Sequence, residues 1–178
     1  MKMRQLIVAV LGLLALVGMA ACQGETPSAV GQEAAASMSG TDGAALGTVV
    51  LAEGPNGVLI SADVTGLSPG AHGFHIHEVG ACTPDFSAAG GHYAPGGEGH
   101  GFQHEDGSHA GDLPNLYAGA DGVARADVFT DKITLAAGAA TSIFDEDGSA
   151  IIIHAKPDSY GPEPGAGDRV ACGVIRRT

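Results

Sequence analysis

Beyond residue 44 the chain is a series of short apolar runs, each closed by glycine, proline or an Asn-Gly or Asp-Gly pair. That punctuation leaves no room for long helices and predicts strands joined by tight turns. Leu46–Leu51 is followed by Glu53-Gly54-Pro55-Asn56-Gly57, where Asn-Gly supplies the positive φ of a hairpin. In Val58–Thr65, the residues Val58, Ile60, Ala62 and Val64 alternate with Leu59, Ser61, Asp63 and Thr65, the period of a half-buried strand. Ser68-Pro69-Gly70 turns the chain again before a strand at Gly73–Glu78. Further strands are expected at Val123–Phe129, Ile133–Leu135, Ala150–His154 and Val170–Ile175, two of them preceded by Asp121-Gly122 and Asp147-Gly148. Gly80–Leu113 and Ala155–Asp168 carry no strand pattern, and loops of that length in a compact domain are usually functional. Glycine reaches 29 of 178 residues without a G-X-Y period, which excludes collagen. With no tryptophan, the core must come mainly from Val, Ile, Leu and Ala. A β-sandwich or barrel with two long functional loops results.

The first 44 residues read differently. Lys2 and Arg4 precede Leu6–Ala21, an uncharged stretch short of the roughly twenty residues that span a bilayer. Basic start, apolar middle and small-residue end make residues 1–21 a secretory signal. Met19-Ala20-Ala21-Cys22 resembles a bacterial lipobox, although Met19 stands where leucine is usual. Cys22 is then the lipidated new N-terminus, and the protein is anchored to a membrane in the periplasm or cell envelope. The alternatives are an ordinary cleaved signal and a retained transmembrane helix. Residues 22–43, rich in Ala, Ser, Gly and Gln, read as a flexible tether to a domain over residues 44–178. The net charge of −12 falls to −14 once Lys2 and Arg4 are removed. No basic footprint remains for nucleic acid, which excludes that partner. The cysteines are Cys22, Cys82 and Cys172. Export favours pairing of the last two, with two free buried thiols as the alternative.

Eight histidines stand out: His72, His75, His77, His92, His100, His104, His109 and His154. His75 and His77 are two apart on a strand, so they share a face and can converge on one ion. His154 ends the apolar run Ile151-Ile152-Ile153. His92, His100 and His109 fall at intervals of eight and nine in the first long loop, with Asp112 three residues further on. Three imidazoles and a carboxylate suit tetrahedral Zn²⁺.

Read together, these segments resemble the copper–zinc superoxide dismutase family. The resemblance is carried by Gly73-Phe74-His75-Ile76-His77-Glu78, Gly90-Gly91-His92-Tyr93 and His109-Ala110-Gly111-Asp112-Leu113. It continues through His154-Ala155-Lys156-Pro157-Asp158 and Gly167-Asp168-Arg169-Val170-Ala171-Cys172-Gly173-Val174-Ile175. It implies a Greek-key β-sandwich or flattened barrel of about eight antiparallel strands. It also implies dismutation of superoxide to oxygen and hydrogen peroxide outside the cytoplasm, with one Cu and one Zn per subunit.

By the same resemblance, copper is held by His75, His77, His92 and His154, and zinc by His92, His100, His109 and Asp112. His92 is the bridge, which suits an imidazole with two opposed nitrogens. All-nitrogen ligation suits Cu²⁺, and three nitrogens with a carboxylate suit Zn²⁺. Asp158 matches the carboxylate that links a copper and a zinc ligand, here His75 and His100. Cys82 and Cys172 match the family's disulfide, and His72 a histidine bonded to backbone. Arg169 matches the arginine beside the copper, where a guanidinium guides and hydrogen-bonds the anion. His92 and Arg169 are the catalytic residues, and zinc is structural. The family's dimers leave a homodimer open.

Three features depart from the pattern. His104 has no assigned role and could replace His100. Glu163 and Asp168 place carboxylates near Arg169 and would weaken attraction for superoxide if they face the channel. The Ala-rich segment before Gly47, where the first strand belongs, is a poor strand former. An exported metal-binding module without catalysis is the alternative function. It would be expected to lack a copper ligand or Arg169, and both are present. A hydrolytic zinc enzyme is disfavoured, because four protein ligands leave no open position for water.

Overall fold

The computed structural model describes residues 29–178. Residues 1–21, Cys22 and the first part of the expected tether lie outside them. Nine strands are described: β1 Glu33–Gly40, β2 Ala45–Gly54, β3 Gly57–Val64, β4 Gly70–His72, β5 Phe74–His77, β6 Leu116–Ala118, β7 Ala124–Thr130, β8 Ala150–His154 and β9 Arg169–Arg177. Seven form one curled antiparallel sheet in the order β5-β8-β9-β1-β2-β3-β7, and β4 and β6 form a small second sheet. The all-β expectation holds, and the two strandless stretches are long loops as expected. Tight turns explain β2 and β3, whose register runs from Gly47 opposite Val64 to Gly54 opposite Gly57.

The tether expected over residues 22–43 is corrected at its C-terminal half. Glu33–Gly40 is not a tether but a strand, paired with β2 on one side and β9 on the other. Alanine has little strand preference of its own, so local sequence hides this element. Its inward residues Ala34, Ala36 and Met38 are buried, and pairing on both edges supplies what propensity does not. Gly173 on β9 makes room for the buried Met38, since a Cβ there would sit 2.6 Å from Met38 Sδ.

Ile133–Leu135, expected as a strand, is irregular. Its backbone pairing is a single bridge from Thr134 to Ser142, and the Glu53 carboxylate accepts hydrogen bonds from Thr134 Oγ1 and from the Leu135 backbone N–H. Its apolar residues Ile133 and Leu135 are still buried, which is why the pattern read as strand. Short β6 was not expected at all. The core is built from residues such as Leu51, Ile60, Ile76, Leu116, Ile151 and Ile153, with Phe74 among its largest members. The Cys82–Cys172 disulfide ties the first long loop to β9, with Cα atoms 5.9 Å apart.

Candidate metal centre

The site grows from β5, an edge strand of the large sheet. The first long loop folds back along that open edge. Tyr93 N–H donates to the Ile76 carbonyl (2.9 Å) and Ile76 N–H to the Gly111 carbonyl (2.9 Å). These bonds set His77 opposite His92 and His75 opposite Asp112. The approach demands glycine, since a Cβ on Gly111 would lie 2.2 Å from the Ile76 oxygen. On the other side of β5, strand β8 delivers His154, re-aimed by a register shift after Ile153 and placed opposite Arg169 of β9. Sequence segments far apart thus meet through strand pairing alone.

Four imidazoles, His75, His77, His92 and His154, offer ligand atoms within 4.8 Å of one another. Backbone and carboxylate acceptors fix which nitrogen each presents. His77 Nδ1 donates to the Gly90 carbonyl (3.0 Å) and His154 Nδ1 to the Gly167 carbonyl (3.1 Å). His75 Nε2 donates to Asp158 Oδ2 at 2.6 Å. The opposite nitrogens, His75 Nδ1, His77 Nε2 and His154 Nε2, are buried and have no hydrogen-bond partner among the described residues. Each such orphan costs about 1–3 kcal/mol unless something accepts its lone pair. Three orphaned lone pairs on neutral rings beside His92 are the donor set of a divalent metal, and nitrogen ligation suits copper.

A second group joins His75, His92, His100 and Asp112, again within 4.8 Å. His75 has one free nitrogen and can serve one ion only, so its partner here is Asp158. His109, expected in this set, reaches the same carboxylate: its Nδ1 lies 3.3 Å from Asp112 Oδ1, against 2.8 Å for His92 Nδ1. His100 Nε2 shares Asp158 Oδ2 with His75 at 2.9 Å, and its Nδ1 donates to the Gly161 carbonyl at 2.6 Å. Three rings and a carboxylate are the donor set of zinc. His104 lies outside both groups, partly exposed, accepting at Nδ1 from Asp106 N–H (3.1 Å).

Burial governs the charges. It lowers His77 to about 2, with His92 adding repulsion, and His75 to about 4 despite the Asp158 hydrogen bond. It lowers His154 and His109 as well. Burial pushes the Asp112 carboxyl upward, but donors from the His92 ring and Gly101 N–H, with the His100 and His109 rings, hold it at about 2. His75, His77, His109 and His154 are therefore neutral in the fold but titrate near 6.5 when unfolded. The unfolded chain binds more protons, so stability is present above pH 6.5 and is lost on acidification towards pH 4. Metal-free protein is expected to lose about 1 kcal/mol per pH unit for each ring kept neutral, measured by urea unfolding at pH 7 and pH 5. Equal stability at both would refute this reading.

Sequence reasoning missed two residues. Asn115 clasps the Asp158 backbone in both directions: Oδ1 accepts from Asp158 N–H (2.7 Å) and Nδ2 donates to its carbonyl (3.0 Å). Tyr160 N–H donates to Asp158 Oδ1 (2.7 Å), and its hydroxyl accepts from Asn115 N–H (2.8 Å). The available signal for Asn115 was a polar residue between the apolar Leu113 and Leu116. Arg169 is half-buried beside His77: Nη1 donates to the Phe86 carbonyl and Nη2 to that of Gly90, both at 2.6 Å. Gly90 thus accepts from Arg169 and His77 alike. His72 bonds the His154 carbonyl at Nδ1 (2.6 Å) and that of Ser68 at Nε2 (2.8 Å), as a backbone-holding histidine should.

A family model described as Copper/zinc superoxide dismutase matches residues 45–175. The chain belongs to the copper/zinc superoxide dismutase family. Among its relatives, the superoxide dismutase [Cu-Zn] of Caulobacter vibrioides is 45% identical over 140 residues, covering 76% of this chain and 80% of that protein. Superoxide dismutase [Cu-Zn] 2 of Aquifex aeolicus is 44% identical over 148 residues, covering 81% and 86%. Among solved structures, a double mutant of a superoxide-dismutase-like protein from Bacillus subtilis superposes with a TM-score of 0.75 at 41% identity, covering 79% of this chain and 95% of that one. The Cu/Zn superoxide dismutase from Brucella abortus gives 0.68 at 35%, covering 81% and 99%. Copper/zinc superoxide dismutase membership accounts for the two donor sets gathered beside β5.

Proposed function

We propose that the protein dismutes superoxide to oxygen and hydrogen peroxide, with copper held by His75 Nδ1, His77 Nε2, His154 Nε2 and His92. Zinc is held by His92, His100, His109 and Asp112. The observation that carries this reading is the trio of buried, orphaned imidazole nitrogens facing His92. When bound, copper supplies a one-electron couple that oxidises one superoxide and reduces the next, and zinc supplies fixed charge.

The chain's own residues prepare that chemistry. His92 binds Asp112 through Nδ1, which leaves Nε2 for the three-histidine side. That nitrogen is the atom suited to hold a proton and release it again. Asp158 fixes the tautomers of His75 and His100 together. To take zinc, His100 Nδ1 must give up the Gly161 carbonyl. Arg169, two carbonyls fixing its plane, offers its charge beside His77 to an incoming anion.

The anchor is part of the proposal. The signal over residues 1–21 and the Met19-Ala20-Ala21-Cys22 run support export and lipidation at Cys22, with the enzyme in the periplasm or cell envelope. The metal assignment is tested by titrating metal-free protein with copper and zinc. One of each is expected per chain, and His154→Ala is expected to lose the copper and keep the zinc. Loss of both metals, or of neither, would overturn the assignment.

A further inference from the structure

The outer surface of the large sheet changes character along its strands. Register places the outward side chains of β7, β3 and β2 in rows. At one end the row is Arg125, Asp63 and Thr48, with Arg125 Nε donating to Asp63 Oδ2 at 3.1 Å. The middle row is Asp127, Ser61 and Val50, with Ser61 Oγ donating to Asp127 Oδ1 at 2.6 Å. The last row is Phe129, Leu59 and Ala52, apolar throughout. Phe129 is 59% exposed and Leu59 44%, although both are large hydrophobic side chains. With Val50, 38% exposed in the neighbouring row, these side chains make an apolar patch at one end of the face, the kind of feature that marks an interaction surface.

The patch lies where the chain enters the fold. Glu33, the first residue of β1, pairs with Ala52 of the apolar row. Gly31 N–H donates to the Glu53 carbonyl (2.8 Å), and Glu53 N–H to that of Gln32 (3.0 Å). Between Cys22 and Ala29 the chain can span at most about 24 Å. From β1 to β7 is three strand spacings, about 14 Å. A lipid on Cys22 thus holds the whole apolar row within reach of the bilayer.

We propose that Phe129, Leu59 and Ala52 form a docking surface for the phospholipid bilayer that carries the Cys22 anchor. This inference rests on the anchor reading above. The row is short enough to enter the headgroup region, where interfacial apolar residues sit about 5–10 Å deep. The net charge of −14 without residues 1–21, with Glu33 and Asp127 flanking the patch, selects zwitterionic over anionic lipid. Docking fixes the enzyme's orientation on the membrane instead of leaving it to swing on its tether.

The absence of tryptophan gives a clean probe. Phe129→Trp reports from the patch, and Tyr117→Trp, at a residue 70% exposed near the other end of β7, serves as control. Cys22 is the one thiol outside the disulfide, so the metal-loaded protein beginning at Cys22 can be coupled through it to maleimide lipid in phosphatidylcholine vesicles. Coupling by this route tests docking whether or not cells acylate Cys22. The Phe129→Trp emission is expected to shift to the blue and be quenched by brominated phosphatidylcholine. The Tyr117→Trp emission is expected to stay unchanged, and adding Leu59→Asp to Phe129→Trp to reverse the quenching. No quenching at position 129 in fully coupled protein overturns the proposal. A blue shift without quenching overturns it as well, because a second copy of the chain then covers the patch. The mass of the mature protein from cells tests the anchor separately. An unacylated Cys22 beside a quenched Phe129→Trp protein would refute the anchor and leave the lipid affinity of the surface standing.

Discussion

Replacing Cys82 and Cys172 with alanine is expected to lower the unfolding free energy by about 4–5 kcal/mol in the chain-entropy account, because the bridge closes a loop with a sequence separation of 90. Few single features of this fold carry as much. The bridge also restrains the segment that presents the Phe86 carbonyl to Arg169, and Cys172 lies buried on β9 three residues beyond that arginine. Stability and the placement of Arg169 are therefore coupled through one covalent link. Urea unfolding of the double variant beside the parent, both metal-free, measures the first effect. A loss below about 1 kcal/mol would mean that the loop is already fixed by its backbone bonds to β5, and would contradict the prediction.

Asp158→Ala is expected to weaken binding of both metals, each on the order of 10–100-fold, the usual scale for removing a group that orients metal-bound histidines. One carboxylate oxygen takes hydrogen bonds from His75 Nε2 (2.6 Å) and His100 Nε2 (2.9 Å). Without it, both rings lose the acceptor that sets their tautomer, and His75 can bury Nδ1–H where a lone pair is needed. Asp158→Asn offers one oxygen and a donor group, so it should weaken binding less. Competition against a chelator reads each metal separately. Unchanged affinity for copper and zinc in Asp158→Ala would contradict the shared-carboxylate account. Loss of zinc alone would confine the role of Asp158 to His100.

Much of this architecture was legible from residues 45–178. Val58–Val64 could be read because its alternation matches a sheet with one face buried, and the Asn56-Gly57 turn fixes its partner. Glu33–Gly40 could not, because alanine's place in that strand comes from β2 and β9 on either side of it. Ile133–Leu135 misled for the opposite reason: an apolar segment is buried, but its pairing stops at one bridge and the Glu53 carboxylate takes the Leu135 N–H that a ladder would have used. At the site, His75 and His77 declared themselves by spacing on one strand. His100 and His104 could be separated only by their fit to a family pattern, and the structure turns His104 away to Asp106. Asn115 and Tyr160 were beyond reach, because what they do for Asp158 depends on two loops meeting. Asn115 is 43 residues from Asp158 in sequence, and nothing local marks the contact.

The neutral, buried rings connect stability to function. Buried imidazole nitrogens without a hydrogen-bond partner are costly in the metal-free fold, and the depressed His75 and His77 values keep those rings neutral down to acid pH. The same arrangement leaves lone pairs ready for metal, so binding relieves what folding strains.

The most direct test of the account is superoxide dismutation by Cys22→Ser protein lacking residues 1–21, loaded with copper and zinc, assayed beside His154→Ala. The account predicts a rate that requires copper and disappears in the variant. Protein that holds one copper and one zinc per chain, yet does not consume superoxide, would contradict it and leave a metal-binding module on the same fold.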